Sequence, residues 1–199
     1  MATETEIANR AMQKLGAKRI LAFGDTSTKE GREISAAWDQ VRRGELRRAN
    51  WNFAITRASL AAIVATPVYG FSYAHALPDL CLRIIDVSSD NTTSSVLSVG
   101  DYARESLADG TQVIASDNTP LWVRYVRDVT NVALWDVMFC EVMATQLALQ
   151  LCQQITDSNS RKEALEAEYR WQSRDARNAD AIENPPDQLP DDEWNETRL

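Results

Sequence analysis

His75 and Cys81 stand six residues apart, and a thiol beside an imidazole is a pairing that could serve as an activated nucleophile. Their surroundings favour a blander role. Cys81 lies inside the apolar run Leu80–Val87, and His75 precedes an Ala76-Leu77-Pro78 turn. A thiol buried among apolar groups is inert. His75 is the only histidine, which excludes metal sites built on several histidines. Cys81, Cys140 and Cys152 are odd in number and match no metal-ligand spacing. Asp86 and Asp90 flank a polar loop, but calcium needs more oxygen ligands at tighter spacing. Glu141 has the chemistry of a glycosidase acid, which requires a second carboxylate across a cleft. Its other reading is an ion pair with an arginine of another helix. Glycine-rich phosphate loops and nucleophile elbows have no counterpart in the chain. The sequence therefore predicts no catalytic centre, no metal and no cofactor, and the chain is expected not to be an enzyme.

Binding chemistry has better material. Arg42, Arg43, Arg47 and Arg48 precede Trp51 and Phe53, and Leu46–Ile55 is the densest mix of basic and aromatic residues in the chain. The arginines admit three readings: phosphate contacts, acids of a neighbouring subunit, or a solvated helix end where the macrodipole favours cations. Trp51 and Phe53 could stack on bases. Their alternation with Asn52 and Ala54 instead suggests a half-buried strand, a structural seam between a helical and a β part. At the other end of the chain, Glu183, Asp187, Asp191, Asp192, Glu193 and Glu196 stand against Arg198 alone. The segment from Asn184 is acidic and proline-rich, so it is expected to be flexible in isolation. Trp194 within it is a favoured interface anchor. We read 184–199 as an acidic docking arm, with Pro185, Pro186, Leu189, Asp192, Trp194 and Leu199 as its contact residues.

Composition fits that division. Of the formal net charge of −8, residues 183–199 hold −5 and the other 182 only −3. Such a body lacks the basic field of a free-standing DNA-binding protein. A hydrophobic share of 44% over 199 residues suffices for a core without staples. Glu4, Glu6 and Arg10 interrupt any apolar run near the start, so no secretory leader is expected. The thiols are then expected to be reduced. The most apolar stretch, Val132–Ile155, carries Asp136, Glu141 and four glutamines, which argues against a membrane span.

Hydrophobic periodicity supplies the elements. Thr3 and Glu6 form a capping box ahead of the stripe Ile7, Ala11 and Leu15, and Gly16 ends that helix. A second helix spans about Lys29–Arg48, with Ile34, Trp38 and Val41 buried; Gly44 within it suggests a kink or close packing. Period-two alternation follows at Trp51–Ile55, Tyr69–Tyr73 and Leu121–Val126, with a continuous run at Leu80–Val87 and weaker strands at Val96–Val99 and Tyr102–Leu107. Asp109-Gly110 marks a hairpin. Asn131 is expected to cap a long helix, Val132–Ile155, whose broad apolar surface makes it the central one of a bundle. A charged helix, Arg161–Ile182, returns antiparallel. The predicted fold is α+β: a four-helix bundle from 1–49 and 131–183, an inserted antiparallel β-sheet or sandwich lobe over 50–130, and the arm 184–199.

A family resemblance becomes specific at the seam. The stretches Trp38-Asp39-Gln40-Val41-Arg42-Arg43, Leu46-Arg47, Trp51-Asn52-Phe53-Ala54, Arg57-Ala58 and Leu60-Ala61 resemble the tail tubular protein A, or head-to-tail adaptor (connector), of short-tailed bacteriophages and prophages. Leu15-Gly16-Ala17 with Ile20, Tyr69-Gly70-Phe71-Ser72-Tyr73, Leu77-Pro78, Cys81-Leu82-Arg83-Ile84 and Trp135-Asp136 with Phe139 extend the similarity over roughly residues 5–180. Order and spacing carry it, rather than any single motif. The resemblance implies a virion structural protein of a helical-bundle and β-lobe fold. Relatives form a dodecameric ring that joins the capsid portal to the tail nozzle (a tail tubular B-like protein), helps retain packaged DNA and forms its ejection channel. The implied partners are thus the portal ring, the nozzle, further copies of the chain and, transiently, genomic DNA, with no membrane. The implied location is the virion neck or tail, and the host cytoplasm during assembly. The arm 184–199 would then reach the portal. Two alternatives stay open: a tail-associated cell-wall (peptidoglycan) hydrolase, and a DNA-binding module.

Overall fold

The computed structural model describes residues 2–92 and 95–183. The arm 184–199, with Pro185, Pro186, Leu189, Asp192, Trp194 and Leu199, lies outside the described residues. The chain runs through α1 (Glu4–Leu15), α2 (Lys29–Arg48), β1 (Ile55–Leu60), β2 (Tyr73–Ala76), β3 (Cys81–Ser88), β4 (Tyr102–Ser106), β5 (Gln112–Ser116), β6 (Leu121–Arg127), α3 (Val137–Thr156) and α4 (Asn159–Glu183), with 3-10 turns at Asn52–Ala54 and Val132–Leu134. This is an α+β fold.

The helices begin and end where local chemistry satisfies their orphan backbone groups. Thr3 Oγ1 accepts from the Glu6 amide at 3.2 Å, and the Glu6 carboxylate accepts from the Thr3 amide at 2.8 Å. Gly16 closes α1 in the left-handed region at φ 66. Thr28 caps α2 through the Gly31 amide. The glycine of α2 that close packing demands is Gly31, not Gly44. A Cβ at Gly31 would lie 1.9 Å from the Asp25 carbonyl oxygen, whereas a Cβ at Gly44 would meet nothing within 4 Å. Gly44→Ala should therefore stabilise the protein by about 0.5–1 kcal/mol, since it removes only backbone freedom from an open helix position. The shift of the urea midpoint reads this directly.

The third helix starts later than its apolar run suggests. Asn131 caps only the 3-10 turn, accepting from the Ala133 amide. Trp135 stays extended, anchored by its indole N–H on the Val129 carbonyl at 3.0 Å. Asp136 is the true N-cap, taking the amides of Met138 and Phe139. From there α3 is buried on most sides and packs against α1, α2 and α4. Its centrality follows from an apolar surface too broad for one neighbour.

Two antiparallel three-stranded sheets lie between the helical halves, ordered β1-β6-β3 and β2-β5-β4. Val87, Ile114, Leu121, Val123 and Tyr125 form one cluster that draws on both sheets, which makes the pair a small sandwich. The Asp109-Gly110 hairpin joins β4 to β5, with Gly110 at φ 88 and the Leu107 amide on the Thr111 carbonyl. Strand β6 is shared between cores: Leu121, Val123 and Tyr125 face the sandwich, while Val126 joins the bundle core with Trp51, Ala54 and Val129. Three expected strands differ. Trp51–Ile55 is not a strand, because Asn52–Ala54 coils into a 3-10 turn closed by the Ala54 amide on the Trp51 carbonyl. Tyr69 and Phe71 fall in the connection before β2, and Val96–Val99 makes only a single bridge, Ser88 to Val96. Trp51–Phe53 and Tyr69–Phe71 alternate without a neighbouring strand to complete the ladder, and Val96–Val99 meets only the end of β3.

Candidate functional site

The seam forms where the end of α2 meets the exit of β6. Asp128 directly follows β6 and is 2% exposed. Arg42 grips it as a fork, Nε to Oδ1 at 2.9 Å and Nη2 to Oδ2 at 3.1 Å, while Arg43 Nε reaches Oδ2 at 2.9 Å. Arg42 Nη1 also meets Asp39 at 2.6 Å. Burial alone would push the Asp128 carboxyl up. The hydrogen bonds and charges of Arg42 and Arg43 outweigh it and hold the group below the usual aspartate range.

The other two arginines of the expected set are also engaged within the chain. Arg47 donates to the Leu82 carbonyl. Arg48 donates to the Tyr169 hydroxyl at 2.5 Å, and that hydroxyl donates to the Glu45 carboxylate at 2.9 and 3.1 Å. Glu45 is buried, which raises its pKa against the pull of Arg48 and Tyr169. Burial and the Glu45 charge push the Tyr169 hydroxyl up to about 12. Of the four arginines assigned to inter-subunit or phosphate contact, Arg42 is buried and committed to Asp128 and Asp39. Arg43, Arg47 and Arg48 keep exposed side chains beside their internal partners.

Trp51 is 2% exposed and donates its indole N–H to the Glu45 carbonyl at 3.0 Å. Ring contacts continue from it without a break. Trp51 and Phe53 each meet Phe139 edge-on at 5.0 Å, Phe139 meets Trp135 at 5.1 Å, Trp135 stacks on Trp38 at 6.1 Å, and Trp38 meets Phe23 at 4.7 Å. The end of α4 is tied to the same place, because the Asp180 carboxylate accepts from the Asn52 amide at 3.0 Å. The site is thus a rigid junction of α2, α3, α4 and the first sheet.

Residues with catalytic potential are placed apart or tied down. His75 is fully buried, with Nδ1 3.2 Å from the Ile114 carbonyl, and burial lowers its pKa and favours the neutral ring. Burial pushes the Cys81 thiol up, and among the described residues no hydrogen bond joins it to His75. Glu141 meets Arg10 at 3.0 Å and Lys14 at 3.6 Å, and Lys14 also holds Glu168 at 2.6 Å. An ammonium between two carboxylates makes an inter-helix clamp. Among the described residues no group of three or more His, Cys, Asp or Glu could hold a metal ion, and no helix is long and apolar enough to cross a membrane.

One open concavity was not anticipated. Beyond the point where Val126 enters the bundle core, the outer face of the first sheet forms a groove of about 480 Å³. Strand register brings Arg57, Arg124 and Asp86 side by side, and Ser59, Trp122 and Ser88 next to them. Arg124 pairs with Asp86 at 2.5 Å. The signal was present in the alternation of Trp122, Arg124 and Val126 opposite Leu121, Val123 and Tyr125; which neighbours they would meet was not. No protein-family model and no curated protein matches the chain.

Proposed function

We propose that the protein is a head-to-tail adaptor, a virion structural protein whose copies form a dodecameric ring between the capsid portal and the tail nozzle, retaining packaged DNA and forming its ejection channel. One observation carries the reading. The seam stretches that resemble the adaptor family come from two parts of the chain far apart in sequence, Trp38–Arg43, Leu46–Arg47 and Trp51–Ala54 on one side and Trp135–Phe139 on the other, yet their rings meet at one buried aromatic junction between bundle and sandwich. A ring that bears the pressure of packaged DNA needs subunits whose two parts cannot shear, and this junction supplies that stiffness. Partners are the portal ring, the nozzle protein, neighbouring copies and transient genomic DNA; the setting is the host cytoplasm during assembly and then the virion neck.

The test is electron microscopy of the protein mixed with its own portal. The intact chain should cap portal rings. The chain ending at Glu183 should stay folded, with the helical circular dichroism of the intact protein, and lose attachment. Capping by the truncated chain with undiminished affinity would remove the docking role of Trp194 and its neighbours. An intact chain that leaves portal rings bare would sink the adaptor reading itself.

A further inference from the structure

From the groove on the first sheet we infer that it is the resting place of the chain's own acidic arm, residues 184–199, in the free protein. Four observations converge. First, α4 ends at Glu183, which lines a smaller hollow together with Asn52, Ile55, Arg57 and Arg124. The last described residue therefore sits beside two arginines that also line the groove. Second, the arm has sixteen residues beyond that point, a reach of about 50 Å when extended, so Trp194 can enter an adjacent groove without strain.

Third, charges match. Residues 184–199 hold five acids against Arg198. The acids of the groove are already engaged: Asp86 by Arg124, and Asp90 by Thr92 and Ser95. Arg57 has no hydrogen bond or ion pair among the described residues, and Arg124 Nε is buried without a partner. The lining is neutral in sum, and outside its one ion pair it holds Arg57 and Asp90; Arg57 is the one that also lines the hollow at Glu183. Fourth, Trp122 is half-buried on the floor and Val96 is 49% exposed at the rim. An aromatic floor between arginines suits a peptide that carries a tryptophan among carboxylates.

Docking in the same chain would hide Trp194 until a partner competes for the arm. The inference does not rest on the adaptor reading, because it concerns the free chain.

Fluorine NMR of the full chain with fluorotryptophan tests it, since Trp122 and Trp194 report the two sides. Ending the chain at Glu183 should move the Trp122 resonance and leave those of Trp38 and Trp135, which serve as the folding control, in place. In the full chain, Arg57→Glu should move Trp122 to its position in the truncated protein and sharpen Trp194 to the line of a free peptide. High salt should act in the same direction. A Trp122 resonance indifferent to the truncation overturns the inference, as does a Trp194 resonance indifferent to Arg57→Glu. If the Trp122 displacement vanishes on dilution, the arm occupies a second copy, and docking within one chain is wrong.

Discussion

Replacing Trp51 with alanine should lower the unfolding free energy by about 3–5 kcal/mol. The ring is 2% exposed and touches Phe53 and Phe139, so truncation leaves a cavity that rigid neighbours cannot close. The loss also removes the buried hydrogen bond from the indole N–H to the Glu45 carbonyl. Chemical denaturation monitored by helical circular dichroism gives the number. If Trp51 were a nucleic-acid contact, the variant would unfold normally and fail only in DNA retention. That pair of results would overturn its assignment to the seam.

Asp128→Ala should be comparably severe, about 3–5 kcal/mol, because it leaves Arg42 buried with its charge uncompensated on that side. The cost belongs to breaking the pair, not to the pair's net worth against an apolar substitute. The pH dependence follows from the sign of the shift. Asp128 has a folded pKa below its unfolded value of about 3.9, so its contribution is complete above that value and is lost as pH falls through the folded one. Glu45, raised by burial, has the opposite sign: its contribution is present below its unfolded value and fades as pH rises through the folded one. The difference between wild type and Asp128→Ala isolates the first group. It should be constant near neutrality and shrink below about pH 4. A difference under about 0.5 kcal/mol at neutral pH, the scale of an ordinary surface change, would show that Arg42 finds another partner.

Local patterns made the helices legible. The capping box at Thr3, the Gly16 terminus and the breadth of the α3 apolar surface are each written within a few residues. What failed was equally local in cause. Asn131 and Asp136 are both good caps, and only the anchoring of Trp135 on Val129 decides between them. Trp51–Ile55 alternates like a strand, yet Trp51 is buried in the bundle and the turn that follows delays pairing until Ile55. The fate of the arginines was not legible at all. Asp128 lies 86 residues from Arg42, and nothing in its sequence neighbourhood distinguishes it from a surface acid. The groove was half legible: the face of Trp122 and Arg124 could be read from β6, but not their register against Arg57 and Asp86.

The central position of α3 has a consequence for synthesis of the chain. α1 and α2 emerge first, but the helix against which both bury their apolar stripes spans Val137–Thr156. At about 5–20 residues per second, Ile7, Leu15, Ile34 and Trp38 wait on the order of 5–20 s after Arg48 is made before their shared partner is complete. The sandwich cannot shield them in the interval, since its own cluster draws on β3, β5 and β6 together. The amino-terminal half is therefore made as an unfinished surface, and the fold closes late, when residues 121–156 leave the ribosome.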